Sequence, residues 1–382
     1  MHICIVTNEY PKTGFAHGGI GSFIKTLAPK LVQKGVKVTV IGLTDESIDD
    51  YEEDNGVKIY RLAYKKIKYL SWYIGVKVLR EKIIKINKFD PIDIVETSEL
   101  GLFCINKIST IRYIIRLHGG HHFFSEAENR KINFWKGFQE KMSFKNADGF
   151  IAISNYVKSH TEKYLSFHNK PIAYINNLID TDYFSPLNLP IKRYSIAFIG
   201  SVCEKKGIRQ LIQAFPFVKE KFPDVTLEIY GREWFYPDGK SYTTMLFEKE
   251  LPKLKFIAND IHFHGLVDYD KIPEKYAQAH ICVFPSHMET QGLVAPEAMA
   301  MGKVVVFTNK GPGPETINEF ENGLLCDPLN PKDIAEKIIW SFSNEKESQQ
   351  ISINARQIVL EKYSPEIIVD KNIVFYNSLL NN

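Results

Sequence analysis

Short β-branched runs alternate with amphipathic stretches along this chain of 382 residues. In the first half the apolar runs are Ile3–Val6, Val36–Ile41, Ile92–Val95, Tyr113–Leu117 and Phe150–Ile153. Helix-patterned stretches, Gly21–Lys34 and Phe134–Asn146, lie between some of them. In the second half the runs are Ser195–Ile199, Val225–Tyr230, Ile261–Phe263, Ile281–Phe284 and Val304–Phe307. Alternation of this kind predicts parallel sheets covered on both faces by helices. The segment Ser185–Pro190 has two prolines and no periodicity, and the pattern restarts after it, so it reads as a hinge. The expectation is an α/β chain of two Rossmann-like domains, 1–188 and 189–363, facing a central cleft. Residues 364–382 are expected to form a helix packing back toward the first domain. Open parallel sheets bind ligands beyond the carboxyl ends of their strands, which places the chemistry at that cleft.

Composition agrees with two globular domains. The chain is too long for one ordinary core, and 44% hydrophobic with 24% charged residues is neither disordered nor fibrous. No charge-free apolar run approaches the roughly 20 residues that span a bilayer. The opening Met1-His2-Ile3-Cys4-Ile5-Val6 enters a strand-like run without a basic region or cleavage site. The five cysteines are scattered, and none forms a CxxC pair. These features predict a cytoplasmic protein.

The net charge of +3 hides a concentration. From Lys58 to Lys88 there are ten basic residues and one acid, Glu81. Nothing else resembles a nucleic-acid module, so no nucleic-acid partner is expected. Within the stretch, Trp72, Val76, Leu79, Ile83 and Ile86 recur at helical spacing. Two readings stand: a stripe buried in its own domain with lysines in water, or an amphipathic helix on an anionic membrane. Under the second, residues 58–88 make a peripheral contact at the inner face of the membrane, where a lipid-linked acceptor is found.

The sharpest chemical signal runs from Pro285 to Gly302: PSHMETQGLVAPEAMAMG. It follows a strand, turns at Pro285 and Gly292, and enters a helix that ends at Gly302. Glu289 stands before the helix and Glu297 within it. Each oxygen of a carboxylate can accept from a different hydroxyl, so a carboxylate suits vicinal hydroxyls. Backbone amides at the helix start suit a phosphate. One segment thus offers sugar, ribose and diphosphate contacts.

This segment resembles the Glu-x7-Glu signature of glycosyltransferase family 4, retaining enzymes of the GT-B fold. The resemblance continues through Gly311-Pro312-Gly313-Pro314-Glu315 and Asn322-Gly323-Leu324-Leu325. Phe198-Ile199-Gly200-Ser201-Val202, Lys205-Lys206-Gly207 and Leu211–Phe215 resemble the family's diphosphate-binding strand, loop and helix. Asn177-Leu178-Ile179-Asp180, Gly18-Gly19-Ile20-Gly21 and Arg116-Leu117-His118-Gly119 match further family segments in the expected order. The resemblance implies a catalytic set of His118, Glu289 and Lys206. His118 and Glu289 would contact the transferred sugar and Lys206 the diphosphate. It implies donor contacts from Gly18, Gly19, Ser201, Lys206, Gly292, Leu293, Val294 and Glu297, with Glu297 on the ribose and Gly19 admitting the phosphate. Family members usually carry an arginine where this chain has Ser201, which offers no guanidinium fork. Lys205, Arg209 and Arg232 are the candidates to compensate.

The implied reaction moves a sugar, with retention, from a nucleotide-diphosphate donor to a glycan or lipid-linked acceptor, in surface polysaccharide synthesis. A UDP-sugar is the first expectation and GDP-mannose the second. His118, His121 and His122 invite a metal, but no carboxylate or cysteine partner is identifiable in sequence. Asp180-Thr181-Asp182 and Asp268-Tyr269-Asp270 are short patterns that recur by chance. No metal or other cofactor is expected. The alternatives are a nicotinamide-dependent oxidoreductase, whose third fingerprint glycine is missing after Gly19-Ile20-Gly21, and a catalytically silent sugar-nucleotide-binding subunit, supported by Ser201 alone.

Overall fold

The computed structural model describes residues 1–12, 18–128, 130–236 and 238–381. The chain divides into two compact units, Met1–Leu178 with Pro365–Asn382, and Ile179–Ser364. Ser185–Pro190 therefore lies inside the second unit. The reason is local: Ile179 and Phe184 are buried in the second core, and the Ile179 amide donates to the Tyr363 carbonyl at 2.8 Å.

Unit 1 holds β1 (His2–Val6), β2 (Lys37–Thr44), β3 (Asp50–Asp54), β4 (Val57–Ala63), β5 (Ile94–Thr97), β6 (Arg112–Leu117), β7 (Gly149–Ala152) and β8 (Ile172–Tyr174). Their order is β3-β4-β2-β1-β5-β6-β7-β8, and every pair is parallel except β3 with β4. That exception is a hairpin turned by Asn55 and Gly56, both at positive φ (51° and 82°), as a two-residue turn between right-twisted strands requires. The helices are α1 (Gly19–Gln33), α2 (Ser71–Phe89), α3 (His121–Ala127), α4 (Phe134–Asn146), α5 (Asn155–Glu162) and the last helix, Pro365–Leu380. Ile368, Val369, Phe375, Tyr376 and Leu379 of the last helix share one core with Leu27, Leu31, Ile114 and Ile151. On α2, Ile83 is buried and Trp72, Val76, Leu79 and Ile86 are half-buried. The apolar stripe is therefore part of its own unit.

Unit 2 holds β9 (Ser195–Ile199), β10 (Thr226–Tyr230), β11 (Ile261–Gly265), β12 (Ile281–Phe284), β13 (Val304–Thr308) and β14 (Leu324–Cys326). They are parallel and ordered β11-β10-β9-β12-β13-β14. Its helices are α6 (Ile208–Lys221), α7 (Tyr242–Lys249), α8 (Leu251–Leu254), α9 (Ile272–Gln278), α10 (Val294–Ala300), α11 (Gly313–Thr316), α12 (Pro331–Ser343) and α13 (Glu345–Lys362). Strand order reverses beside β9: β10 and β11 lie to one side, β12 to β14 to the other. Unit 1 reverses likewise between β1 and β5. Such switch points leave a crevice beyond the strand ends, where open α/β sheets receive ligands. Among the described residues no helix is long and apolar enough to cross a membrane.

Candidate active site

The loops that leave β9 and β12 form the crevice of unit 2. After β9 the chain passes Gly200 and Ser201 and makes one short turn, Glu204–Lys206, before Gly207 opens α6. Gly207 sits at φ 70°, and a Cβ there would lie 1.8 Å from the Pro285 carbonyl oxygen. Only glycine lets this turn rest on the loop after β12. The contact is fastened by the His287 amide, which donates to the Lys205 carbonyl at 2.9 Å. Gly292, at φ 77°, closes the second loop where a Cβ would lie 2.7 Å from the Phe307 ring.

This docking brings together two side chains far apart in sequence. The Lys206 ammonium donates to Glu289 Oε1 at 2.5 Å, with Glu289 buried and Lys206 mostly covered. Burial works to lower the lysine pKa, but the Glu289 carboxylate outweighs it and holds Lys206 above its ordinary value. Leu293 caps α10 without a side-chain hydrogen bond, and Glu297 sits in the first turn of that helix. The Tyr276 hydroxyl, from α9, donates to Glu297 Oε2 at 3.0 Å. Burial pushes the Glu297 carboxyl up to about 7, against the opposing effects of that hydrogen bond and of Lys206. Beside it, the rings of Tyr183 and Tyr269 stack in parallel with centroids 4.9 Å apart. A fixed cation, two carboxylates and an aromatic pair suit a ligand that joins an anionic diphosphate to hydroxyl-rich rings.

Ser201 has a neighbour of the kind the sequence left open. Arg232 Nε donates to Ser201 Oγ at 3.3 Å, whereas Arg209 is engaged with Glu204 at 2.5 Å.

In unit 1 the ends of β1, β5 and β6 surround a cavity of about 390 Å³, lined among others by Thr7, Asn8, Glu96, Ser98, Arg116 and His118. Burial, with help from the Arg116 charge, lowers the His118 pKa to about 3, so the imidazole is neutral. Arg116 is buried and bonded to Glu96 (2.7 Å), to Asn372 (2.5 Å) and to Tyr376. Gly18 caps α1 and Gly19 begins it, while residues 13–17 of the preceding loop lie outside the described residues.

Two supports of the His118 loop were missed in sequence. Glu99 accepts from the Gly119 amide at 2.7 Å. Glu140, fully buried on α4, accepts from the amides of His121 and His122 and from His122 Nδ1. His122 thus has a carboxylate partner after all, and the pair holds the loop. His121 Nε2 accepts from the Asn133 amide at 2.9 Å. Among the described residues no three His, Cys, Asp or Glu side chains converge as a metal site.

Family models place these residues in a known lineage. Residues 17–183 match the model described as Glycosyltransferase Family 4, and residues 180–358 match Glycosyl transferases group 1. An uncharacterized glycosyltransferase of Methanocaldococcus jannaschii is 26% identical, over 98% of either chain. The chain belongs to glycosyltransferase family 4. A capsular polysaccharide biosynthesis glycosyltransferase of Staphylococcus aureus, CapM, is 28% identical over 54% of this chain and 50% of its own. Anabaena HepE, solved in complex with UDP-glucose, superposes with a TM-score of 0.78 at 17% identity, over 99% of this chain and 100% of the other. The glycosyltransferase thus has the GT-B fold. Of the residues named from sequence, its second unit carries Ser201 and Lys206 on the loop after β9, and Glu289, Gly292, Leu293, Val294 and Glu297 on the loop and helix after β12, with Lys206 and Glu289 in contact. Gly18, Gly19 and His118 belong to the first. Tyr276, the partner of Glu297, was missed because nothing in its spacing marks it.

Proposed function

We propose that this glycosyltransferase transfers a sugar, with retention of anomeric configuration, from a UDP-sugar to a glycan or lipid-linked acceptor in surface polysaccharide synthesis. The observation that carries the reading is the meeting of Lys206 and Glu289 at the switch point of unit 2, with Glu297 following in α10. HepE, a GT-B neighbour, binds UDP-glucose, and CapM acts in capsule synthesis, which favours UDP and a polysaccharide product.

The roles follow from charge. Cleavage of the sugar–phosphate bond builds negative charge on the departing diphosphate. Lys206 and the amides of Gly292, Leu293 and Val294 offset that charge, and accelerate transfer to the extent that they bind the leaving group better than the intact donor. Glu297 takes the ribose hydroxyls and Glu289 the donor sugar. His118 meets the transferred sugar as a neutral imidazole, able to donate from one nitrogen and accept at the other. Lys206 replaces the countercharge a divalent ion supplies elsewhere, so transfer proceeds without metal.

A thermal-shift screen against UDP-, GDP- and ADP-sugars tests the donor. Saturation at a hundred times Kd adds about 2.7 kcal/mol of stability to the binding unit. The UDP series should shift the transition most, and a GDP-mannose response without a UDP response overturns the base assignment. Sugar transfer after exhaustive chelation should stay near its untreated rate. Activity that vanishes and returns with magnesium or manganese sinks the metal-free reading.

A further inference from the structure

The first turns of α2 and α4 come together on the surface of unit 1. The Trp72 ring lies 5.6 Å from that of Trp135 and 5.3 Å from that of Phe103, and Trp135 stacks on Phe138. Around this anchored pair, large side chains face outward: Phe134 is 86% exposed and Tyr69 81%, and Leu70, Tyr73, Trp135 and Phe138 are also exposed. A soluble surface rarely groups such rings.

The charge around them is mostly positive, although Lys66 pairs with Asp45, Lys77 with Glu81 and Arg130 with Glu128. From Arg61 to Arg80, and again from Arg130 to Lys145, the sequence contains one acid, Glu140, and it is buried. Lys65, Lys68, Lys131 and Lys136 are exposed on the segments that carry the rings, and the Lys68 ammonium lies 5.2 Å from the centre of the Tyr69 ring. Lysine is depleted from protein interfaces, whereas aromatic rings flanked by lysine are typical of the headgroup level of a bilayer. Stable attachment without a spanning helix takes both apolar insertion and basic attraction. This surface supplies both.

We propose that the paired ends of α2 and α4 dock on an anionic lipid bilayer, with Tyr69 and Phe134 entering the headgroup region and the lysines meeting lipid charge. The docking face is these helix ends rather than the rest of the α2 stripe, where Ile83 is buried and Val76, Leu79 and Ile86 are half-buried. This deepens the lipid-linked-acceptor part of the proposed function, and its test uses no sugar, so either can fail alone.

The test is flotation of the full chain with phosphatidylcholine vesicles, with and without phosphatidylglycerol, at low and high salt. Binding should rise with phosphatidylglycerol and fall with salt. It should weaken at least about tenfold in Lys131→Glu/Lys136→Glu, given the attraction each cation contributes near an anionic leaflet. Tyr69→Asn/Phe134→Ser should weaken it comparably; asparagine suits the positive φ of 67° at residue 69. Circular dichroism melts matching the wild type establish that both variants fold. The proposal falls if the wild type ignores anionic vesicles at low salt, if it binds neutral vesicles equally, or if both folded variants bind as the wild type does. It also falls if light scattering finds a dimer that Tyr69→Asn/Phe134→Ser disperses, which makes the patch a contact between copies.

Discussion

A serine where family members usually carry arginine leaves a charge to be found nearby, and Arg232 is the side chain beside it. Its exposed guanidinium can turn from Ser201 toward a diphosphate, while Arg209 is held by Glu204. A hydrogen bond to a charged group contributes about 1.5–3 kcal/mol, so Arg232→Ala should raise the Kd for UDP about tenfold or more. Arg232→Lys should restore only part of that, because the planar fork is lost. Calorimetry that finds Arg209→Ala as damaging as Arg232→Ala would show the wrong cation has been chosen. Glu297 carries a second consequence, through pH. Its folded pKa of about 7 stands above the ordinary 4.5, because burial disfavours the carboxylate. Between those values the folded chain keeps a proton that the unfolded chain releases, so this group's contribution to stability falls as pH rises. Glu297→Gln lacks the titration and should escape that loss, gaining on the wild type above pH 7 and not at pH 4. The proposed ribose contact runs the other way. The carboxylate accepts better than the acid, so UDP affinity in the wild type relative to Glu297→Gln should rise through about pH 7. Parallel denaturation and calorimetric profiles check both signs, and flat differences across the range would refute them.

The loop Gly119–His122 shows how an element is set by partners remote in sequence. Glu99 follows β5, Glu140 belongs to α4, and both grip amides of this one turn. A Cβ at Gly120 would lie 2.1 Å from Glu140 Oε1, so a larger residue there would push that carboxylate off the loop. Glu140→Ala leaves three donors without their buried acceptor, at about 1–3 kcal/mol for each group left unsatisfied, so it should destabilise unit 1 by several kcal/mol. Glu140→Gln should retain more stability yet loosen His122, lowering kcat while leaving UDP affinity unchanged. Urea unfolding and calorimetry decide it; unaltered stability in Glu140→Ala would remove the proposed grip. None of this pairing was legible, because spacing along a chain does not encode which loop a buried carboxylate will reach. The hydrogen bond from Tyr276 to Glu297 was hidden for the same reason. Lys206 and Glu289 were legible only as parts of separate family segments, and their contact needed the glycine-permitted docking of two loops. The central strands were readable because burial on both faces leaves continuous apolar runs, as in β9 and β12, whose bounds match expectation. Helix α4 was read correctly at both ends, and the Asn133 side chain that starts it accepts from the Lys136 amide at 3.0 Å. Missed were β3 and β4, whose Asp-Tyr-Glu-Glu-Asp edge has no apolar run, although the Asn55-Gly56 turn between them was a usable signal. The three-residue strands β8 and β14 are too short for a pattern.

At the scale of the whole molecule, the two units are not two halves of the sequence. The last helix is a component of unit 1: Tyr376 and Asn372 contact the buried Arg116, and Leu379 reaches Gly149 on β7. Unit 2, by contrast, contains its sheet, its core, and the proposed donor residues Lys206, Glu289 and Glu297 within Ile179–Ser364. A span of that length is an ordinary size for an independently folding domain. Removing Pro365–Asn382 should therefore act at the opposite end of the sequence. Arg116 would lose two of its partners while keeping Glu96, and the apolar side chains that Ile368, Val369, Phe375 and Leu379 cover would open to water. Lost hydrogen bonds to the Arg116 guanidinium and lost apolar burial act together here, and the marginal stability of a domain leaves little to absorb them. The expected outcome is loss of hydrogen-exchange protection through β1, β2 and β5 to β7. The strands of unit 2 should remain protected, and UDP should bind with a Kd within about threefold of the full chain, a change of well under 1 kcal/mol. Exchange measured by mass spectrometry, with UDP calorimetry on the same preparation, separates the outcomes. Protected unit 1 strands alongside a lost UDP response would mean that the last helix supports the donor site rather than the first sheet.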